Sequence, residues 1–183
     1  MFVPFAIDYV NARKALVAAI VLGTGLANNR IVRAQAQGPV QPPPPRPYAS
    51  FMVRMAAMRT AFRDSTVFHD VEGNESITIS GYRGLAIDLT FHGNSQDDAY
   101  GLATTFQASL YREDVLASLR KAGFAVWTVQ DVTDLTSLMN TGFEGRAMVE
   151  FEMWTRIVST VAVGDIQGVP LVGDVTAQGV LTL

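Results

Sequence analysis

The apolar positions recur at two different periods between Ser95 and Arg156, and the change of period marks out the elements. Ala99, Leu102, Ala103, Phe106 and Leu110 follow steps of three and four, the spacing of one helical face. Ser95 precedes them as an N-cap whose hydroxyl can accept from a first-turn amide, and Asp97 and Asp98 suit the positive helix start. A second helix places Val115, Leu116, Leu119 and Ala122 inward. It is predicted to stop at Gly123, with Arg120 and Lys121 in its last turn. Phe124 to Val129, rich in β-branched and aromatic residues, reads as a strand. A short turn of helix is expected next, and then a long return strand. There Val149, Phe151, Met153 and Ile157 alternate with Glu150, Glu152, Trp154 and Arg156, so one face is buried and the other polar.

The chain before this stretch carries two more strand patterns. Ser50 to Thr60 has Phe51, Val53 and Met55 on one face. Ile77 to Phe91 keeps Ile77, Ile79, Leu85, Ile87, Leu89 and Phe91 at one parity, and Gly81 and Gly84 suggest a bulge or bend within it. Arg63 to Glu75 is polar and acidic, with a short strand-like piece at Thr66 to Phe68. The Gly- and Val-rich tail, Gly164 to Leu183, reads as a last hairpin or an arm that orders on a neighbour.

Two readings compete for the N-terminal segment. Arg13 and Lys14, the apolar run Ala15 to Ala27, and Ala34-Gln35-Ala36 outline a secretory signal peptide with a cleavage site. The alternative is a folded helix from Ile7 to Leu22, ended by Gly23 and Gly25, with a strand from Arg30 to Ala36 after it. In that helix Ile7, Val10, Leu16 and Ile20 lie along the packed side, with Arg13 and Lys14 toward its flank. Pro42 to Pro45 then impose an extended backbone, either as a stiff spacer or as a docking segment for a partner groove.

Composition narrows the possible functions. At 183 residues and 49% hydrophobic content the chain is long enough to bury a core as one domain. Charged residues are 17%, below the roughly 25% typical of soluble domains; this fits either a surface covered by other subunits or a charge-poor monomer. A net charge of −3 gives no nucleic-acid footprint, and the absence of cysteine removes disulfides and thiolate metal sites. His69 and His92 have no partner at metal-ligand spacing and read as polar residues at strand ends. Gly23-Thr24-Gly25 lacks the strand and third glycine of a dinucleotide site. Asp97 and Asp98 serve a helix start better than acid–base chemistry, and Asp64-Ser65 with His69-Asp70 makes no triad by itself. Trp127 and Trp154 suit core or edge packing, or an interface where exposed.

Three segments together resemble the phage neck terminator or tail terminator proteins. They are the N-terminal helix with NNRIVRAQAQGPVQPPPPRPYASFMV, then GYRGLAIDLTFHG, and then FQASLYREDVLASLRKAGFAVWTVQDVTDLTSLMNTGFEGRAMVEFEMW. The likeness runs from about Ile7 to Val169, while Arg63 to Glu75 and the tail depart from it. It implies a single α+β domain with an antiparallel or mixed sheet and helices packed on one face. It also implies a homohexameric ring in the virion neck that terminates the tail tube, meets the head connector, and lets genomic DNA pass through its lumen without sequence-specific binding. Assembly in the host cytoplasm follows, with tail tube and sheath proteins as further candidate partners and no membrane contact. The resemblance favours the folded N-terminal helix over the signal peptide; a secreted or periplasmic binding module remains the alternative. No enzyme, cofactor or metal role is expected. Candidate interface residues are Pro42, Pro43, Pro44, Pro45, Arg46, Glu144, Arg146 and Trp154.

Overall fold

The computed structural model describes residues 7–34, 42–59, 65–69, 76–139 and 142–162. The chain enters through helix α1 (Tyr9–Thr24), a 3-10 turn at Asn28–Arg30, and strand β1 (Ile31–Arg33). Strands β2 (Tyr48–Arg59), β3 (Ser65–His69) and β4 (Ser76–Gly93) follow, then helices α2 (Gln96–Ser109) and α3 (Glu113–Lys121). Strands β5 (Phe124–Val129), β6 (Thr133–Asp134), β7 (Ser137–Met139) and β8 (Gly142–Ala162) complete the described part. The sheet runs β1-β2-β4-β8-β5, with β3 beside β4 and the short β6 and β7 beside β8. Among the described strands only β1 runs parallel to its neighbour, so the sheet is mixed and the fold is α+β, as the sequence implied.

The helices form where the apolar spacing placed them. The Ser95 hydroxyl accepts from the Asp98 amide at 3.1 Å, capping α2. Ala99, Ala103, Phe106 and Leu110 are buried, and the Phe106 ring meets Phe91 and Phe151 of the sheet at 5.8 and 5.7 Å between centroids. Burying one such ring stabilises the fold by about 1.5–3 kcal/mol. Helix α3 turns its Val115 and Leu119 into the same core, and Gly123 ends its last turn in the left-handed region at φ 86°.

Helix α1 is part of this core. Asp8 caps it, its Oδ1 accepting from the amides of Val10 at 3.0 Å and Asn11 at 2.9 Å. The buried stripe is Ala12, Ala15, Leu16, Ala19, Ile20 and Gly23; of the packed side expected from the sequence, Ile7, Leu16 and Ile20 are buried, while Val10 is 57% exposed. Small side chains let α1 lie close to α2. A Cβ on Gly23 would stand 2.3 Å from Ser109 Oγ and 3.2 Å from the Phe106 ring. Asn11 Nδ2 donates to the Ala122 carbonyl at 2.9 Å and ties α1 to the end of α3. Cleavage after Ala36 would strip this packed helix from the domain. Among the described residues no helix is long and apolar enough to cross a membrane.

Two further expectations are corrected. Among the described residues the stretch after β5 holds no helical turn; Thr133–Asp134 and Ser137–Met139 instead pair along the first part of β8, whose free edge offers backbone partners. The irregularity expected at Gly81 and Gly84 lies in the neighbouring strand. β4 pairs with β8 in unbroken register from Ser76↔Ala162 to Gly93↔Gly145, while β2 slips between Arg54 and Met58, opposite Gly84 to Ala86. The expected polyproline start at 38–41, the strand end at 35–36, most of 60–75 and the tail from 163 lie outside the described residues.

The last cross-strand pair, Gly93 and Gly145, sits under the start of α2. A Cβ on Gly145 would come within 2.0 Å of the Ser95 carbonyl oxygen, and one on Gly93 within 2.5 Å of the Ala99 amide nitrogen. Gly145→Ala is therefore expected to destabilise the domain by about 1–3 kcal/mol through backbone overpacking. Gly101 lies mid-helix in α2 with nothing within 4 Å of its would-be Cβ, so Gly101→Ala should stabilise by about 0.5–1 kcal/mol. Denaturant titration of both variants checks the opposite signs. Phe151→Asp, which places a carboxylate in the core, should leave no soluble native protein by circular dichroism.

Candidate functional site

Odd-numbered positions of β4 and β8 face the helices, so their even-numbered positions form the helix-free face of the sheet. Four of the candidate interface residues map to this face or its rim, in two separate places.

The first place is a clip at the end of the sheet. Glu144 is only 6% exposed, and three groups converge on its carboxylate. Arg46 Nη2 lies 2.8 Å from Oε1, His92 Nδ1 lies 3.4 Å from Oε1, and Arg146 reaches Oε2 with its own Nη2. His92, read from sequence as a polar surface residue, is buried; the Tyr48 ring stacks on it at 4.2 Å and 5°. Ser50 Oγ lies 3.0 Å from His92 Nε2. A carboxylate can only accept, so Nδ1 carries the imidazole proton and Nε2 accepts from the serine hydroxyl.

Electrostatics agrees with this neutral tautomer. Burial pushes the His92 pKa below its ordinary value, and the Arg146 and Arg46 charges add to the shift against the opposing pull of Glu144. Burial would raise the Glu144 pKa, but hydrogen bonds from Arg146, His92 and Arg46 outweigh it and hold the carboxyl below its usual range. Burial and Glu144 together push the Tyr48 hydroxyl up.

The clip fixes the proline segment to the sheet. Arg46 follows Pro42, Pro43, Pro44 and Pro45 directly, and Arg30 Nη1 donates to the Pro45 carbonyl. Pro42, Pro43 and Pro45 are exposed. The structure therefore joins Arg46, Glu144 and Arg146 in one cluster and leaves the prolines at its rim. Tyr48, Ser50 and His92 were missed because their meeting depends on the pairing of β2 with β4, where Tyr48 lies opposite His92.

Trp154 lies elsewhere, farther along β8. It pairs across the sheet with Gly84, and a Cβ there would meet its indole nitrogen at 3.3 Å, so the ring covers the glycine backbone. On its other side Trp127 stacks at 4.8 Å. Trp127 is the extra residue of a bulge between Val126↔Met153 and Thr128↔Glu152. By alternation from Val126 it faces the helix-free side, where it is 67% exposed, and the bulge leaves it without a cross-strand partner. Between the clip and the tryptophans, Arg54 bridges Asp88 at 2.5 Å and Glu150 at 3.2 Å. Among the described residues no group of three or more His, Asp or Glu is placed to hold a metal. The arrangement offers packing and ion pairing.

A sequence profile of the family described as phage neck terminator protein matches residues 12–178. No curated protein matches the chain.

The clip generates a pH dependence. His92 and Glu144 both have folded pKa values below their ordinary ones, so the unfolded chain binds more protons in the intervening range and stability rises with pH there. The His92 contribution is complete above its ordinary value of 6.5 and is lost as pH falls through the folded value. That of Glu144 is complete above 4.5 and is lost as pH falls through its own folded value. Melting temperature should fall on acidification from about pH 7 to 5, and His92→Gln should flatten that slope. Glu144→Gln leaves two arginines facing a neutral amide. Because both are about one third exposed, we expect a cost of about 2 kcal/mol rather than the larger figure for a fully buried pair, measured by denaturant titration.

Proposed function

Since the chain belongs to the phage neck terminator protein family, a structural family of the bacteriophage virion, we propose that it assembles as a closed homohexameric ring. The ring ends the tail tube and seats it on the head connector, with genomic DNA passing through the lumen without base-specific contacts. It assembles in the host cytoplasm before joining the neck, and it works without a cofactor or catalytic step. The observation that carries this reading is the family match over residues 12–178.

Features of the chain support it. The low proportion of charged residues suits a surface largely covered by neighbours. β4 has 18 residues, so it spans about 60 Å at 3.3 Å per residue. The 14 residues of α2 span about 21 Å, so the helices cover only part of the sheet. The uncovered end carries Val67, Phe68, Tyr82 and Val158 exposed, an apolar area of the kind that marks a contact surface. The clip holds Pro42 to Arg46 against the sheet edge, and we assign this stiff segment to the connector-facing side, with Glu144 and Arg146 as its anchors.

Light scattering of the purified protein should give the mass of the ring, and electron microscopy of virions should place it at the neck. A monomer inside an isolated neck would overturn the reading. Arg46→Ala removes the exposed half of the clip and leaves the core intact. It is expected to give folded protein but to leave DNA-filled heads and unjoined tails in lysates, counted by microscopy.

A further inference from the structure

Two surfaces on opposite sides of the core have no covering inside the chain, and they complement one another. The first is the outer face of α1, turned away from its buried alanine stripe. Val17, Val21 and Leu22 line an open apolar groove of about 630 Å³ there, with Arg13 and Lys14 on its rim. Neither Arg13 nor Lys14 forms an ion pair among the described residues. The second is the helix-free face of the sheet around Trp127, which projects from its bulge. Beside it Glu150 and Glu152 border a cleft of about 160 Å³. Arg54 is shared between Asp88 and Glu150, and Glu152 has no ion pair among the described residues, so this patch is net acidic.

We infer that these surfaces are the two halves of the contact between neighbouring copies of this chain. Trp127 of one copy fills the apolar groove on α1 of the next, and Arg13 and Lys14 on the groove's rim lie against Glu150 and Glu152. The inference rests on the ring reading and adds to it the residues that close the ring. Shape and charge both argue for a second copy as the occupant. An exposed indole needs an apolar socket, and the chain provides an open groove with room for one. An acidic patch needs a basic rim, and the socket carries one. The two surfaces differ and lie on opposite sides of the molecule, so their contact is head-to-tail, the type that closes into a ring when the rotation per copy allows it. Because Trp127 is already stacked on Trp154, it is held in place before contact and little side-chain freedom is lost on docking.

The test is the assembly of the full chain measured by light scattering across a dilution series, with circular dichroism as the check on folding. Lys14 and Glu152 are surface positions, so Lys14→Glu and Glu152→Lys should fold normally. Each is expected to raise the concentration needed for assembly by about tenfold or more, an effect that shrinks at high salt. The double variant, Lys14→Glu with Glu152→Lys, should recover assembly because the pair is reversed rather than broken. Trp127→Ala should weaken assembly equally at low and high salt. If wild-type protein forms the ring and these variants assemble as it does, or if the double variant fails to recover, the assigned contact is wrong while the ring stands. If wild-type protein stays monomeric both in solution and in isolated necks, the ring and this contact fall together.

Discussion

The pairing of β4 with β8 is the constraint on which the rest of the structure depends. The register holds without slip from Ser76↔Ala162 to Gly93↔Gly145. With no extra residue in either strand, parity is conserved along the whole ladder. Odd positions such as Leu85, Ile87, Val149 and Phe151 stay on the helix side and even positions on the other. A shift of one residue would turn the core outward and bring Glu150 and Glu152 under the helices. The irregularities are displaced to the flanking strands, β2 and β5, where they change the face locally without disturbing the centre.

The same ladder positions the ion-pair clip and the stacked tryptophans. Its closed end brings Gly93 and Gly145 under Ser95, which allows α2 to start against the sheet. One position from that end, on the opposite parity, it brings His92 opposite Arg146 and beside Glu144, and β2 adds Tyr48 and Ser50. The result is a buried carboxylate with its hydrogen bonds satisfied. Its outermost partner, Arg46, belongs to the proline segment, so an otherwise solvent-facing stretch is tied to a rigid base. Midway along, Gly84 makes room for Trp154, and the β5 bulge sets Trp127 upon it. Stacking on Trp154 thus holds an exposed aromatic in a fixed place.

Helix α1 shows how a segment that resembles a secretion signal can be a structural element. Its alanines and glycine read as an apolar run, but they are arranged as a flat stripe that lets α1 approach Ser109 and Phe106. Larger side chains on that stripe would hold the helices apart. The bulkier Val10 and Leu22 are left outside, on the face that carries Arg13 and Lys14.

What the sequence determined by itself was everything governed by local period and local chemistry. Ser95 as a cap, Gly123 as a stop, the buried face of α2, the limits of Phe124–Val129 and the alternation of the return strand follow from spacing and backbone preference. The length and order of the elements also sufficed to resemble the right family. The tertiary structure alone decided what depends on partners far away in the chain. Small residues carry weak periodic signal, so hydrophobicity located Ile7, Leu16 and Ile20 on the packed side of α1 but not the alanines and Gly23 beside them. Short strands such as Thr133–Asp134 exist only because β8 offers them an edge. His92 is buried because Tyr48, Ser50 and Glu144 arrive from other strands, that burial lowers its pKa against the pull of Glu144, and no spacing along the sequence encodes the meeting. Trp127 is left without a cross-strand partner by one extra residue in a ladder whose register is set by non-local backbone hydrogen bonds.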